Sequence, residues 1–431
     1  MEESVSGGNA VTHGTSLGEV RAAASTGTIG QPDENGNVLE WSYDDNTQTL
    51  TITGIGKLDG FNGNSLKTDF FENIEIKKVQ FQNCKVIGSM ARAFASIFPE
   101  DNNISKVEQI DFSGLDTSNV TNMSFIFYGC SNLKNLDLSN FDTSSVMDMG
   151  SMFYGCSNLE NLDLSNFDTS SVTDMGSMFY GCSSLCSLDV SGFDTSNVGG
   201  MESMFEGCSN LDDLDLSNFD TSSVTNLAYM FEGCHNLRRL NLAGFDTSNV
   251  SYVTGMLEMF CGCSSLSSLD LSSFDTSNIT LMRGMFSGCS NLKRLVLSNF
   301  DTSSVLGMEN MFSNCSSLES LDLRNFDTSR VTSMHGMFSG CSSLKSLDVS
   351  NFDTSSVGSM AMMFQGCSSL SSLDLRNFDT SRVMSMGGMF SGCRSLSTLD
   401  LSAFDMRNVK EEDYLPWIDL YIDGSVKKFV S

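Results

Sequence analysis

The sequence predicts a solenoid of stacked repeats, with short parallel strands on a concave face, 3₁₀ or short helical turns on a convex face, and a β-hairpin closing the N-terminal end. Three observations lead there. Eleven cysteines (Cys130, Cys156, Cys182, Cys208, Cys234, Cys263, Cys289, Cys315, Cys341, Cys367 and Cys393) recur every 26 residues, with one step of 29 between Cys234 and Cys263. Each belongs to the same unit, S-x-L-x-x-L-D-L-S-N-F-D-T-S-x-V-T-x-M-x-x-M-F-x-G-C, seen from Ser131 through Cys156. A unit this short cannot bury a core of its own, so neighbours must cover each other's apolar edges.

Residues 1–30 are polar, rich in Gly, Ser, Ala and Thr, and lack hydrophobic periodicity; they are expected to be a flexible leader. Residues 31–75 form the N-terminal β cap. Within it Leu39, Trp41 and Tyr43 alternate, Asp44-Asp45-Asn46 makes a turn, and Leu50 and Ile52 follow, which predicts a hairpin over Val38–Ile55. Such a hairpin can cover the open edge of the first repeat. The solenoid is placed at 76–409. Two degenerate rungs come first (Ile76, Val79, Phe81, Cys84 and Val107, Ile110, Phe112, Leu115), then eleven regular ones from Leu133 to Leu401.

The first half of each rung reads as a short strand. Leu133, Leu136 and Leu138 point inward, Asn135, Asp137 and Ser139 outward, and Phe141 closes the turn. This L-x-x-L-x-L pattern is the signature of leucine-rich repeats. At ~4.8 Å per strand the regular rungs would make a curved body roughly 50 Å long. In the second half, Val146, Met149, Met152 and Phe153 have a spacing that suits a short helical or 3₁₀ turn. Gly155 would let the chain leave that turn in a left-handed conformation. Asp142, in Phe-Asp-Thr-Ser, is expected to accept backbone N–H bonds at the bend. Residues 410–431 are expected to form a C-terminal cap, with a partial rung at Leu415, Ile418 and Leu420.

Charge narrows the partners. Against 53 Asp and Glu stand 24 Lys and Arg, a net charge of −29. That much negative charge repels phosphates, so neither nucleic acid nor anionic membrane is an expected partner, whereas cations and basic proteins are. No apolar run approaches the roughly 18–20 residues of a membrane span, so no membrane insertion is expected.

The sulfur and histidine residues point to packing. An odd-numbered cysteine ladder is a poor disulfide framework and reads as one small buried side chain per rung. The 26 methionines fall at core spacing, which packing explains without copper(I). The nearby pair Cys261 and Cys263 is the one local exception. Three histidines (His13, His235 and His335) and the absence of a C-x-x-C pair argue against zinc, and the same scarcity of bases argues against nucleophilic catalysis. No phosphate-binding or dinucleotide fingerprint occurs. No enzymatic activity, no metal and no cofactor is therefore expected. Thr143, Thr169, Thr221 and their counterparts form a regular array of the kind seen on water-ordering surfaces, but the Asp beside each argues against ice binding.

The outward position after the second Leu is acidic in nine rungs: Asp137, Asp163, Asp189, Asp215, Asp270, Asp322, Asp348, Asp374 and Asp400. Neighbours at ~4.8 Å repel by about 0.9 kcal/mol per pair even at bulk-water dielectric. The repulsion must be offset by bonds to the flanking serines, by solvation, by loosely held cations or by a basic partner. The stripe breaks at Asn241 and Val296, in rungs that carry Arg238-Arg239 and Lys293-Arg294, and the three-residue insertion, within 251–255, lies between them. Arg239, Asn241, Arg294 and Val296 are thus expected to form a central patch that contacts a partner; drift between duplicated rungs is the alternative. Arg324, Arg330, Arg376 and Arg382, in two copies of L-R-N-F-D-T-S-R-V, are expected to neutralise neighbouring aspartates.

The unit F-x-G-C-S-S-L-x-S-L-D-L-S-N-F-D-T-S-x-V resembles the BspA-like leucine-rich repeat of bacterial surface proteins, in the variant first catalogued from mycoplasmas. The resemblance spans about Ile76–Val409. Its F-x-G-C-x-x-L core runs through all eleven regular rungs, with Asn314 in place of one glycine. Leu39–Gly56 resembles the β-module that often precedes such repeats. The resemblance implies an exported or cell-surface bacterial protein used in adhesion, host contact or aggregation. The opening MEESVSGGNA has neither the basic start nor the apolar stretch of an export signal, so a signal is expected to lie outside this sequence. The expected function is non-enzymatic binding of a host or neighbouring-cell surface protein, or of another copy, through the acidic concave face. The runner-up is a structural spacer that displays another domain away from the cell.

Overall fold

The computed structural model describes residues 26–58, 74–94, 106–251, 255–397 and 399–410. The N-terminal module is the expected hairpin, with one strand more. β2 (Leu39–Asp44) and β3 (Thr49–Gly56) pair antiparallel from Glu40↔Thr53 to Asp44↔Thr49. Leu39, Trp41 and Tyr43 turn inward and alternate with exposed residues, as a half-buried strand requires. β1 (Thr26–Ile29) adds antiparallel to the outer edge of β2. Those four residues fall inside the segment read as a leader, because a strand this short is too brief to register as periodicity.

At β3 the sheet changes sense. Its other edge pairs parallel with β4 (Lys78–Ser89), with a register shift at Thr53/Gly54 where Gly54 has φ +93°. β4 pairs in turn with β5 (Gln109–Asp111) and β6 (Leu115–Asn122), two parts of one rung. The hairpin thus supplies the edge on which parallel stacking begins, and Leu39, Trp41, Leu50 and Ile52 share one buried cluster with the rungs behind them.

The rest is a β-solenoid of parallel-stacked turns with almost no helix. Ladders are short: β7 (Asn135–Leu136) with β8 (Asn161–Leu162), β9 (Asp213–Asp215) with β10 (Arg239–Asn241), and β11 (Ser268–Asp270) with β12 (Arg294–Val296). In the described rungs beyond Val296 the same segment forms no longer ladder. The reason is local. The N–H two residues beyond each stripe aspartate is taken by that carboxylate, as Ser139 N–H is by Asp137 at 3.1 Å, so the ladder cannot extend.

The expected helical turns are not there. Among the described residues, helix is confined to Ala93 and Phe94. From Met149 to Gly155 alternate N–H groups point forward: those of Met149, Ser151, Phe153 and Gly155 donate to the carbonyls of Asp174, Gly176, Met178 and Tyr180 in the next rung, at 2.7–3.0 Å. The intervening Met152, Tyr154 and Cys156 donate three residues back, at 3.1–3.2 Å. A helix would keep all these bonds inside one rung; here half of them join rungs. Left-handed residues make the alternation possible, Ser151 at φ +55° and Gly155 at φ +72°, the latter as the F-x-G-C motif suggested.

A second ladder of single bridges flanks these turns, Asn122↔Asp148↔Asp174↔Gly200↔Asn226 and then Leu281↔Gly307↔Ser333↔Ser359↔Ser385. On either side of the insertion, Ser251 N–H donates to Thr225 C=O and Leu227 N–H to Gly255 C=O. Residues 252–254, where the insertion was expected to bulge, and 411–431, with the proposed C-terminal cap and its Leu415, Ile418 and Leu420, lie outside the described residues.

Identical side chains meet in columns. Phe127, Phe153, Phe179, Phe205, Phe231, Phe260, Phe286, Phe312, Phe338, Phe364 and Phe390 stack with centroids 5.4–5.8 Å apart. The cysteine ladder is free and buried, and it does more than fill space. Cys182 donates its thiol hydrogen to the Phe153 carbonyl at 3.2 Å, which also accepts Cys156 N–H at 3.1 Å. Burial pushes the Cys182 thiol up to about 12, which keeps it protonated.

The threonines are not a surface array. Thr143, Thr169 and Thr221 are at most 2% exposed. The Thr143 hydroxyl donates to Asp168 C=O at 2.9 Å and accepts Asp168 N–H at 2.8 Å, a two-way clasp between rungs. Asn166 spans the same gap, donating to Leu138 C=O at 3.0 Å and Phe141 C=O at 3.1 Å. Asp142 accepts Ser144 N–H at 3.1 Å, the bend role expected of it.

Candidate binding surface

The aspartate stripe is built from turns. Asp137, Asp163, Asp189, Asp215, Asp270, Asp348 and Asp400 accept the N–H of the serine two residues on, at 2.9–3.1 Å. Asp322 and Asp374 accept those of Arg324 and Arg376 at 3.2 and 3.1 Å. The serine bonds hold Asp137 below the usual carboxylate range against repulsion from Asp111 and Asp163. Bonds to the flanking serines, one of the offsets expected, are thus present along the stripe.

Arg324 and Arg376 also fork onto Asp322 and Asp374, with Nε–O distances of 2.9 Å in both and Nη2–O distances of 2.7 and 2.6 Å. These forks hold both carboxyls at about 2. The neutralising role expected of the two arginines is what they perform; Arg330 and Arg382 make no ion pair among the described residues.

The four residues expected to form a central patch occupy one region without being contiguous. Arg239 stacks on Asp213, and Arg294 on Ser268. By the repeat register Ser268 lies between the two arginines, and Asp270 lies between Asn241 and Val296. Arg239 is ion-paired to Asp213 at 2.6 Å, and Arg238 to Asp212 at 3.0 Å. Asn241 accepts Ala243 N–H at 3.2 Å and so replaces the stripe aspartate without its charge. Val296 has no acceptor to offer and is half-buried. An open groove of about 810 Å³ follows this stretch, lined by Asp189, Asp213, Asp215, Arg238, Arg239 and Asn241 among others.

Another surface column escaped the sequence reading. Tyr128, Tyr154 and Tyr180 stack at 4.9 and 4.2 Å, and the same repeat position continues as Glu206, Glu232 and Cys261. The ligand-capable atoms of Glu232, Glu258 and Cys261 all lie within 4.8 Å of one another. Burial, then Glu206 and Glu258, push the Glu232 carboxyl up to about 7. Comparing the residue before Gly-Cys from rung to rung would have revealed this column.

The two kinds of carboxylate contribute to the pH response with opposite signs. The arginine forks hold Asp322 and Asp374 at about 2, below the ordinary 3.8, so the small, solvent-screened stability they contribute is present above about pH 4 and lost as pH falls towards 2. Glu232 has the opposite sign: its folded value of about 7 lies above 4.5, so the fold weakens as pH rises from 4.5 towards 7. The thermal midpoint is therefore expected to peak near pH 4–5. Glu232→Gln should flatten part of the neutral side and leave the acid side unchanged, which a thermal scan across pH measures.

Among the described residues no helix is long and apolar enough to cross a membrane. A chain in the solved Toll–Spatzle complex, titled a molecular hub in Drosophila development and innate immunity, is 13% identical with a TM-score of 0.23; the match covers 83% of this chain and 61% of that one. This chain thus spans about three-fifths of that protein's length, and the likeness is too distant to bear on function. No curated protein matches the sequence. The model of a family described as Mycoplasma protein of unknown function, DUF285, matches residues 88–189, 186–259, 254–347 and 307–415, taking in every regular rung, and the chain belongs to that family.

Proposed function

We propose that this solenoid is a non-enzymatic binding module of the BspA-like leucine-rich-repeat type, carried on a bacterial cell surface. It engages a host or neighbouring-cell surface protein, or another copy of itself, through the aspartate-lined strand face. The observation that carries this reading is the groove at Arg239 and Asn241. Rungs elsewhere repeat nearly the same surface, and what differs between rungs is what can be specific. There the acidic stripe loses a charge at Asn241 and gains two exposed ion pairs. Exposed pairs of this kind are worth about 0–1 kcal/mol, so Arg239 can exchange Asp213 for a partner's carboxylate at little cost. The inward L-x-x-L-x-L residues and short parallel ladders support the repeat type, and the motif resemblance supports the location.

The near-identity of the rungs also favours a second reading, a spacer whose face is never read. Binding of the purified chain to a panel of extracellular-matrix and epithelial surface proteins, at two salt concentrations, separates the two. The expected result is salt-sensitive binding that weakens roughly tenfold or more when Arg239 and Arg294 are both changed to Glu. Binding unchanged by that reversal would remove the patch, and no binding by a folded wild-type chain would favour the spacer.

A further inference from the structure

We propose that Glu232, Glu258 and Cys261 form a site for one divalent metal ion of borderline softness, of which zinc is the type, away from the aspartate-lined face. The donors come from two adjacent rungs. Glu232 projects from one, and Glu258 and Cys261, three residues apart, from the next. Three ligands around zinc, with bonds of about 2.0–2.3 Å, sit roughly 3–4 Å from each other. A mutual spacing within 4.8 Å therefore leaves only small side-chain rotations to close the site, with the fourth position open to water.

The surroundings are shaped for it. Glu258 is a non-glycine residue at φ +50°, and its side chain leans over Gly284 in the following rung. A Cβ at 284 would come within 2.7 Å of Glu258 Cγ, so glycine there leaves the space the carboxylate arm occupies. Among the described residues no Lys or Arg is ion-paired to Glu206, Glu232 or Glu258. Glu232 and Glu258 thus stand close together with no cation beside them, and a bound cation would offset their repulsion. Repulsion alone would accept any cation; the thiol makes the site selective. Calcium and magnesium take oxygen ligands, and copper(I) favours all-sulfur sets, whereas one sulfur with two carboxylate oxygens suits zinc. On binding, the Cys261 S–H proton leaves to solvent as the sulfur–metal bond forms.

No metal was expected from the sequence, because no C-x-x-C or histidine pair marks this site; its donors meet only through the 29-residue step between two rungs. The site is independent of the binding-face reading. Its test uses the whole reduced chain and cobalt(II), zinc's spectroscopic stand-in. One equivalent of cobalt should produce a thiolate-to-cobalt absorption that zinc then abolishes. Cys261→Ser should remove the band, and Glu232→Gln should weaken binding roughly tenfold or more. Cys186→Ser, at the exposed cysteine elsewhere, should leave the band intact. Circular dichroism confirms that each variant is folded. A folded wild-type chain that gives no band, or a band that survives Cys261→Ser, would overturn the proposal.

Discussion

Phe231→Ala is expected to lower the unfolding free energy by about 3–5 kcal/mol, among the largest losses available to a single substitution in this chain. Its ring is fully buried between Phe205 at 5.8 Å and Phe260 at 5.6 Å. Truncation removes both stacked contacts and leaves a cavity that neighbours cannot fill. The backbone on each side is pinned, Phe205 N–H to Met230 C=O and Phe231 N–H to Met259 C=O, both at 2.9 Å. A rung touches only its two neighbours, so coupling between the halves of the solenoid passes through that point. Urea denaturation should therefore show a lower midpoint and a broader or divided transition, since a weakened central interface uncouples the two ends. A loss below about 1 kcal/mol would mean that the phenylalanine column is not what joins rung to rung.

The inward columns were legible because burial follows residue identity at a fixed period. Leu133, Met149, Phe153 and Cys156 are buried as their spacing implied. The geometry of the second half was not legible. Val146, Met149, Met152 and Phe153 face inward from a helical turn and from a stacked turn alike, so the pattern of apolar residues does not distinguish them. The distinguishing feature is a left-handed residue at Ser151, and serine gives no sign of it. The candidate site was half visible. Asn241 and Val296 announced themselves as breaks in a regular stripe. Arg239's engagement with Asp213 needed the further step of counting 26 residues back, which sets the two side by side. Glu232, Glu258 and Cys261 are ordinary residues within their own rungs and become a group only when the rungs are stacked.

Thr221→Val tests the feature that the sequence hid most completely. Polarity marked the threonine column as exposed, yet Thr221 is fully buried, because its hydroxyl serves the backbone of the next rung. It donates to Asp246 C=O and accepts Asp246 N–H, both at 2.8 Å. Valine has nearly the same shape and fills the site, so no cavity opens; what is lost is the partner of one donor and one acceptor. Leaving a buried polar group unsatisfied costs about 1–3 kcal/mol, so valine should cost on the order of 2–4 kcal/mol. Thr221→Ser keeps the hydroxyl and drops one methyl, a loss of about 1 kcal/mol. The two variants thus separate bonding from packing in one urea series. If valine proves milder than serine, the column is held by its methyl groups and the clasp contributes little. If the expected order holds, the Thr of each F-D-T-S motif is a hydrogen-bonded rivet between rungs, repeated in the same place from Thr143 to Thr380.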